Sequence, residues 1–245
     1  MSEATGLTDP RSLFEELAGW AMGRLAGDEF LMAQLHGEDS DFVRFNGAAV
    51  RQAGSVSQRS MALDLVEGSR HAAGRVSITG RVDIDRARLG DLIVELRERR
   101  RAMPADPHLL YATGEASSER DLAGDLPAPA EALDQILIAA GGDDLVGVYA
   151  AGRSYAGFAG STGQRNWHSS PTFNLDWSLH NSEGRATKNL YAGSAWDHPP
   201  LATKMDWAAR ELAVLDREPL ELAPSSYRVY LAPAAVQDLV DMLAW

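Results

Sequence analysis

The chain has 245 residues, and 45% of them are hydrophobic. It contains no cysteine and has a formal net charge of −12. The negative charge argues against nucleic acid as a main partner because an acidic protein repels the phosphate backbone. The lack of cysteine excludes disulfide bonds and thiolate ligands. The N-terminal residues do not resemble a signal peptide, and no run reaches the roughly 18 apolar residues of a membrane span. We therefore predict a cytoplasmic protein with no membrane segment.

The first part of the chain predicts a helix, a hairpin, two further strands and a second helix. The segment TDPRSLFEELAGWAMGRL has helical spacing, with Thr8 or Asp9 as its cap and Pro10 in its first turn. Asn46-Gly47 is a two-residue hairpin signal, because both residue types tolerate positive φ. SMALDLVEG and GRVSITG alternate as strands do, and DIDRARLGDLIVELRERRRAM returns to helical spacing.

Residues 104–127 are rich in Pro, Gly and Ser and predict a linker. The linker separates an N-terminal αββββα domain, residues 1–103, from a second α+β region, residues 128–245. The second region predicts a helix, two strands with a turn at Gly152-Arg153, the strands TFNLDWSLHN and RATKNLYAGSAWD, a helix, the strand SSYRVYLAP and a last helix. The fold class is α+β, with helices packed on antiparallel sheets. A helix–hairpin–strands–helix unit is followed by a second antiparallel strand and helix unit.

The segment FAGSTGQRNWHSSPTF concentrates the residue types of a catalytic loop. A hydrolase that uses Ser161 and His168 would also need an oriented base and an oxyanion hole, and the GxSxG elbow is absent. We predict instead a connection between a strand that ends at 158–161 and a strand that begins at Thr172. Its polar side chains then face water, an interior chamber or a partner. The candidates for substrate or interface contact are Arg165, Asn166, Trp167 and His168.

No metal site is predicted. His168, His180 and His198 lack the spacing of two ligands one helical turn apart, and no HExxH motif occurs. The basic run Arg97 to Arg101 is interpreted as a solvated helix end, where cations suit the helix dipole, in preference to an anion site.

Three segments together resemble the TldD/PmbA family, the modulators of DNA gyrase. The first is FNGAAVRQAGSVSQRSMALDLVEGSRHAAGRVSITG, which is similar to the hairpin and strands of the family's N-terminal region. The second is GFAGSTGQRNWHSSPTFNLDWSLHNSEGRATKNLYAGSAWD, which resembles a central hairpin with an NS.G turn and a G....YAG return. The third is LATKMDWAARELAVLDREPLELAPSSYRVYLAPAAVQDLVDML, which resembles a helix, a Y.V.L.P.A strand and an apolar helix.

The resemblance implies a role in peptide hydrolysis. TldD-type members carry HExxxH on the helix after the V.L.P strand, and its histidines hold a zinc ion that activates water. The corresponding segment here, AAVQDLVDMLAW, has no His and no Glu, so the chain resembles the PmbA (TldE) type of subunit. In the family roughly another half follows this helix, so the chain is either a short member or an N-terminal portion.

We therefore expect a non-catalytic subunit of a TldD/TldE-type peptidase complex that acts on unfolded or small peptides. It would hold no cofactor of its own, with zinc only in a TldD-like partner. The alternative is a stand-alone binding or scaffold protein of the same fold, present as a homo-oligomer and without proteolytic activity. A weaker option is a hydrolase that uses Ser161 or His168.

Overall fold

The computed structural model describes residues 9–111 and 113–244, which form five helices and seven strands. The helices are α1 (Pro10–Met22), α2 (Val82–Ala102), α3 (Pro129–Ala140), α4 (His198–Leu215) and α5 (Pro233–Leu243). The strands are β1 (Phe30–Asn46), β2 (Ala49–Glu67), β3 (Arg70–Ser77), β4 (Ser118–Asp121), β5 (Asp144–Gly160), β6 (Arg165–His180) and β7 (Ala186–Gly193). None of these helices combines the length and the apolar composition needed to cross a membrane.

All seven strands belong to one open sheet. Its order is β3-β2-β1-β5-β6-β4, and β7 also pairs with β6. Every pairing is antiparallel except that of the short strand β4, which runs parallel to β6. The α+β class, with helices packed on an antiparallel sheet, is confirmed.

The sheet is continuous across the predicted linker. Strand β1 pairs with β5 from Met32↔Gly160 to Phe45↔Gly147, so strands on both sides of residues 104–127 are neighbours. The predicted pair of sheet units is therefore one sheet. The domain boundary itself stays a prediction, since strand pairing does not measure whether either half folds alone. The contacts within the chain divide it at a different point from the predicted linker, into a unit that ends at Leu215 and a unit that starts at Asp216.

The hairpin predicted at Asn46-Gly47 is present, displaced by one residue. The turn residues are Gly47 and Ala48, with φ of 61° and 51°, and Asn46 pairs with Ala49. The two strands predicted on either side of residues 53–59 are a single strand, β2, because β1 pairs along nearly all of it. The prediction of four strands in this part was wrong, and there are three.

The turn predicted at Gly152-Arg153 is also absent. Strand β5 runs through both residues, with β1 on one side and β6 on the other. A Cβ built on Gly152 would lie 2.2 Å from the carbonyl oxygen of Asp39. The glycine therefore marks a close approach of two strands and not a reversal of the chain.

Helices α1 to α4 all pack on one face of the sheet. Side chains of a strand alternate between faces, and the buried residues of β1 are all at odd positions. Leu31, Ala33 and Leu35 belong to an apolar cluster with α1 and α2, whereas Val43 and Phe45 belong to a second cluster with α3 and α4. We call this side the helix face and the other side the open face. The helix face thus has an apolar cluster at each end.

The basic end of α2 is tied to the rest of the fold. Arg97 Nη2 donates to Glu29 Oε2 at 2.7 Å, and Arg100 Nη1 donates to Glu29 Oε1 at 3.0 Å. Arg100 also pairs with Glu67 at 2.8 Å and is buried. The interpretation of Arg97 to Arg101 as a solvated helix end was wrong for these two arginines, because the carboxylates of Glu29 and Glu67 pair with them.

The unit from Asp216 onward contains only α5 among the helices and strands of the described residues. The helix predicted for AAVQDLVDMLAW is confirmed, with Pro233 in its first turn. The strand predicted for SSYRVYLAP is not formed in the described chain. A strand depends on a neighbouring strand to pair its backbone groups, and periodicity alone does not supply one.

Candidate functional site

A polar cluster crosses the middle of the helix face, between the two apolar clusters. It consists of Asp39 on β1, Ser57 and Arg59 on β2, and Tyr155 on β5, and we call it the central polar cluster. All four positions are odd, so the sequence alternation that buries Leu35 and Val43 also directs these side chains toward the helix face.

The cluster is closed by hydrogen bonds. Arg59 Nε donates to the hydroxyl oxygen of Tyr155 at 2.6 Å, and that hydroxyl donates to Asp39 Oδ2 at 3.1 Å. Arg59 Nη2 lies 3.2 Å from the same carboxylate oxygen, and the Ser57 hydroxyl donates to Asp39 Oδ1 at 2.5 Å. Arg59 and Tyr155 are buried, whereas the Asp39 side chain is 42% exposed, so the phenol is shielded from water and the ion pair is in part solvated. Each polar group has a partner, which is the condition for burying such groups.

The electrostatics of the cluster keep Asp39 ionised and Tyr155 protonated. Burial acts to raise the pKa of Asp39, but the hydrogen bond from Ser57 and the charge of Arg59 outweigh it, so the pKa lies below its usual value. Burial raises the pKa of Tyr155, with the bond from Arg59 opposing it. A tyrosine with a raised pKa is a poor nucleophile at neutral pH. The cluster therefore has the chemistry of a rigid polar support and not that of a nucleophile with its base.

Two further polar pairs flank the cluster on the same face. The Ser55 hydroxyl donates to Asp41, and Arg153 Nη1 donates to the Ser169 hydroxyl at 2.5 Å. Buried Tyr149 lies beside them, and burial followed by the charge of Asp41 raises its pKa to about 12. Its hydroxyl has no hydrogen-bond partner among the described residues.

The four predicted site residues lie on β6 and divide between the two faces. They were placed in a connection that precedes a strand at Thr172, which was wrong: the turn is at residues 161–164, and β6 already begins at Arg165. The physical reason is that β5 pairs with β6 as far as Ala159↔Arg165, which leaves only a short reversal.

Trp167 and Arg165 belong to the helix face. The Trp167 ring stacks between Phe14 and Tyr155, with centroids 6.3 Å and 5.9 Å away, and it is buried. Arg165 donates to the carbonyl of Gly160 at 2.9 Å, inside its own turn. Trp167 thus connects α1 to the central polar cluster, which is a packing role.

Asn166 and His168 belong to the open face. Asn166 Nδ2 donates to the Ser118 hydroxyl of β4 at 2.8 Å, and His168 is exposed. Three adjoining cavities of about 430, 340 and 150 Å³ lie along this face, and His36 and Glu38 each line two of them. The open face therefore carries a row of adjoining cavities, and the four candidate residues do not converge on one site.

Ser161 and His168 are not arranged as a hydrolytic pair. The Ser161 hydroxyl accepts a hydrogen bond from the backbone N–H of Leu31 at 3.1 Å. His168 pairs with Ala156, five residues before Ser161 along β5, or roughly 16 Å at 3.3 Å per residue. Ser161 is thus part of the connection between β1 and the turn.

The segment in which the resemblance implies zinc ligands does not suit zinc. Helix α5 carries Asp238 and Asp241 as its only ionisable side chains, and it has no His. Among residues 9–111 and 113–244, no three side chains of His, Asp or Glu lie together in an arrangement that could hold a metal ion.

Sequence reasoning missed the central polar cluster. A signal was present in LHGEDSDFVRF, where Asp39 and Asp41 continue the odd positions of Leu35 and Val43. Charged residues in phase with a buried stripe indicate a polar site on the covered face.

Comparisons with known proteins point to one fold. No protein-family model matches the chain, and no curated protein matches it by sequence. Three solved structures match it: TldE from Thermococcus kodakarensis, a proposed modulator of DNA gyrase from Thermotoga maritima, and a proposed modulator of DNA gyrase from Bacteroides thetaiotaomicron. Their TM-scores are 0.55, 0.55 and 0.56, at sequence identities of 12%, 9% and 14%.

The matches cover 82%, 82% and 84% of this chain but only 47%, 47% and 51% of the three structures, so the chain spans about half their length. At these identities the likeness establishes the fold. The resemblance to the TldD/PmbA family is thereby confirmed at the level of structure: the chain has the fold found in TldE and in the proposed gyrase modulators.

Proposed function

We propose that the chain is a TldD/PmbA-family protein that acts as the non-catalytic subunit of a TldD/TldE-type zinc peptidase complex. The observation that carries the proposal is the fold shared with TldE over 82% of the chain, combined with a segment at α5 that offers neither His nor Glu. The zinc and the catalytic base would come from a TldD-type partner. The peptides cleaved would be unfolded or small.

The arrangement of polar residues supports this division of labour. Asp39, the acid of the central polar cluster, is bonded to Ser57, Arg59 and Tyr155, so both of its carboxylate oxygens already accept bonds within the fold. A general base needs a free lone pair within reach of a substrate proton. The open face offers Ser, Asn, Gln and His side chains together with Glu38, and such groups suit the recognition of a polypeptide.

Reconstitution tests the proposal. The purified chain is mixed with a TldD-type protein that carries HExxxH, and the mixture is analysed by gel filtration and by cleavage of casein and of short peptides. We expect co-elution and a gain in cleavage that is lost when the partner's HExxxH histidines are replaced. Cleavage by the isolated chain, with or without added Zn²⁺, would contradict the proposal.

A stand-alone scaffold that self-associates is the second candidate. It is favoured by the exposed apolar side chains of the unit from Asp216 onward, among them Leu220, Tyr230 and Leu243, each at least 85% exposed. Apolar surface of this kind commonly marks an association site. Light scattering over a concentration series distinguishes the candidates: a stable homo-oligomer that ignores the TldD-type protein supports the scaffold.

A further inference from the structure

Strand β2 has a free edge next to the central polar cluster. Strand β3 pairs with β2 only from Ser60 to Glu67, and the last contact on that side is the bond from Ile78 N–H to the Arg59 carbonyl at 2.9 Å. From Ala53 to Gln58, no other strand of the described chain pairs with the outer side of β2. The edge is also exposed, as Ala53, Ser55 and Ser57 show.

The direction of the free backbone groups follows from that last bond. The Arg59 carbonyl points away from β1, and alternate residues of an antiparallel strand direct both of their backbone groups to the same side. Ala53, Ser55 and Ser57 therefore point their N–H and C=O groups outward. Val56 and Gly54 point theirs toward β1.

The edge lacks the usual protection against strand pairing. Proteins commonly shield such edges with Pro, Lys, a bulge or a covering loop. Residues 53–58 read AGSVSQ and contain no Pro and no charge, and the only irregularity is the register shift at Arg44/Phe45, beyond the end of this segment. The side chains are small, so an incoming strand meets little steric resistance.

The charge beside the edge specifies the occupant. Asp41 lies on β1 directly across from Ser55, whose hydroxyl donates to it. No ion pair neutralises Asp41 within the described residues, whereas Arg59 neutralises Asp39 one row away. A residue paired opposite Ser55 on a new strand would be two strand spacings, roughly 10 Å, from Asp41. A lysine or arginine can span that distance over a serine.

We propose that the free edge of β2, at Ala53 to Ser57, binds an extended segment of another protein by strand addition, with a basic side chain of that segment directed at Asp41. Backbone hydrogen bonds provide the affinity in this mode of recognition, and alternate side chains provide the specificity. The proposal does not depend on the peptidase-subunit role, because it concerns the isolated chain.

The test measures binding of a labelled nine-residue peptide of alternating Thr and Val with one central Lys. The isolated chain should bind it about tenfold more tightly than the same peptide with a central Glu. Ala53→Pro removes one outward N–H and should weaken binding of the Lys peptide about tenfold. Asp41→Asn should abolish the preference for Lys over Glu.

Ala73→Pro is the matched control. By the register of β2 with β3, Ala73 also points its N–H outward, but on the edge of β3, and it is exposed. This variant should bind the Lys peptide like the unmodified chain. If Ala53→Pro fails to fold, methylating the central backbone nitrogens of the peptide provides the same test, since this removes its pairing donors and keeps its charge.

Three results would overturn the proposal. The first is that folded Ala53→Pro still binds the Lys peptide as tightly as the unmodified chain does, or that the unmodified chain binds the methylated peptide as tightly as the Lys peptide. The second is that Ala73→Pro loses binding of the Lys peptide. The third is a concentration-dependent dimer, seen by sedimentation, that Ala53→Pro disrupts, because the edge would then belong to a second copy of the chain.

Discussion

The guanidinium of Arg59 and the hydroxyl of Tyr155 lie 2.6 Å apart although their strands, β2 and β5, are separated by β1. They meet above Gly37, which pairs with Arg59 on one side and with Tyr155 on the other. A Cβ on Gly37 would lie 2.3 Å from Tyr155 Cε2, so only glycine leaves room for this contact.

Replacing Gly37 should therefore destabilise the fold. In Gly37→Ala the new methyl group displaces the Tyr155 ring, and we expect a loss of about 1–3 kcal/mol in the free energy of unfolding, as for other overpacked cores. Gly19→Ala is the control, because its Cβ meets nothing within 4 Å. It lies inside α1 and should stabilise the chain by about 0.5–1 kcal/mol. Urea unfolding of both variants checks the pair, and equal effects would contradict the role of Gly37.

The contributions of the Tyr155 hydroxyl and of Asp39 to stability should depend on each other. Tyr155→Phe removes the acceptor of Arg59 Nε and a donor to Asp39, so we expect a loss of about 1–3 kcal/mol in stability. Asp39→Asn should be similarly destabilising. A double-mutant cycle should show a coupling energy of at least about 0.5 kcal/mol, the range found for groups that share a network. Additive effects would mean that the two groups act independently.

Glu29 should make stability depend on acid pH. Hydrogen bonds from Arg97 outweigh burial and, together with the Ala26 N–H and Arg100, lower the pKa of Glu29 to about 2 from an unperturbed 4.5. A folded-state pKa below the unfolded value gives stability that is complete above about pH 4.5 and is lost as the pH falls toward 2. The side chain is only 4% exposed, so we expect a loss of about 2–3 kcal/mol over that interval.

Glu29→Gln provides the comparison for this pH dependence. The variant should be less stable at pH 7, and the difference from the unmodified chain should shrink as the pH falls to 2. Unfolding in urea across this pH series measures both curves. A constant difference at all pH values would show that the carboxylate does not titrate as expected.

Asp85 should contribute more to the stability of the fold than its neighbour Asp83. It is fully buried and accepts hydrogen bonds from the backbone N–H groups of Thr79 and Gly80, at 2.8 and 2.9 Å, and from the Thr79 hydroxyl. Asp85→Ala leaves buried donors without partners and should cost about 2–4 kcal/mol. Asp83→Ala, whose side chain is 71% exposed, should cost less than about 1 kcal/mol. Thermal or urea unfolding ranks the two.

The helices were predictable from sequence because their signals are local. Asp9 caps α1 as expected, accepting from the Ser12 N–H at 2.9 Å, and the periodicity of Leu89, Leu92, Ile93 and Leu96 marks the buried side of α2. The same reasoning failed for β2 and β5, since small and polar residues such as Gly152 occur both in turns and in the middle of long strands. Only the neighbouring strands decide between the two.

The alternation around Asp39 indicates a polar position on the covered face, but the partners of Asp39 could not be predicted from the sequence, for a related reason. Arg59 and Tyr155 are 96 residues apart, and Arg59 and Asp39 are 20 apart. Their meeting depends on the register of β2, β1 and β5, which no local pattern fixes. The polar residues at 161–170 are adjacent in sequence, which predicts a single site, but the alternation along β6 places Trp167 and His168 on opposite faces of the sheet.

Because Trp167 and His168 lie on opposite faces, we expect Trp167 to contribute to stability and His168 to contribute to binding. Trp167→Ala removes a ring that stacks on both Phe14 and Tyr155, so it should cost about 3–5 kcal/mol in stability. His168→Ala changes an exposed side chain on the open face, so it should cost less than about 0.5 kcal/mol. Any loss of partner or peptide binding in His168→Ala then reports recognition at the open face. Such binding is measured on folded protein, after urea unfolding has ranked the two variants. If Trp167→Ala is as stable as the unmodified chain, Trp167 does not have the packing role that its contacts indicate.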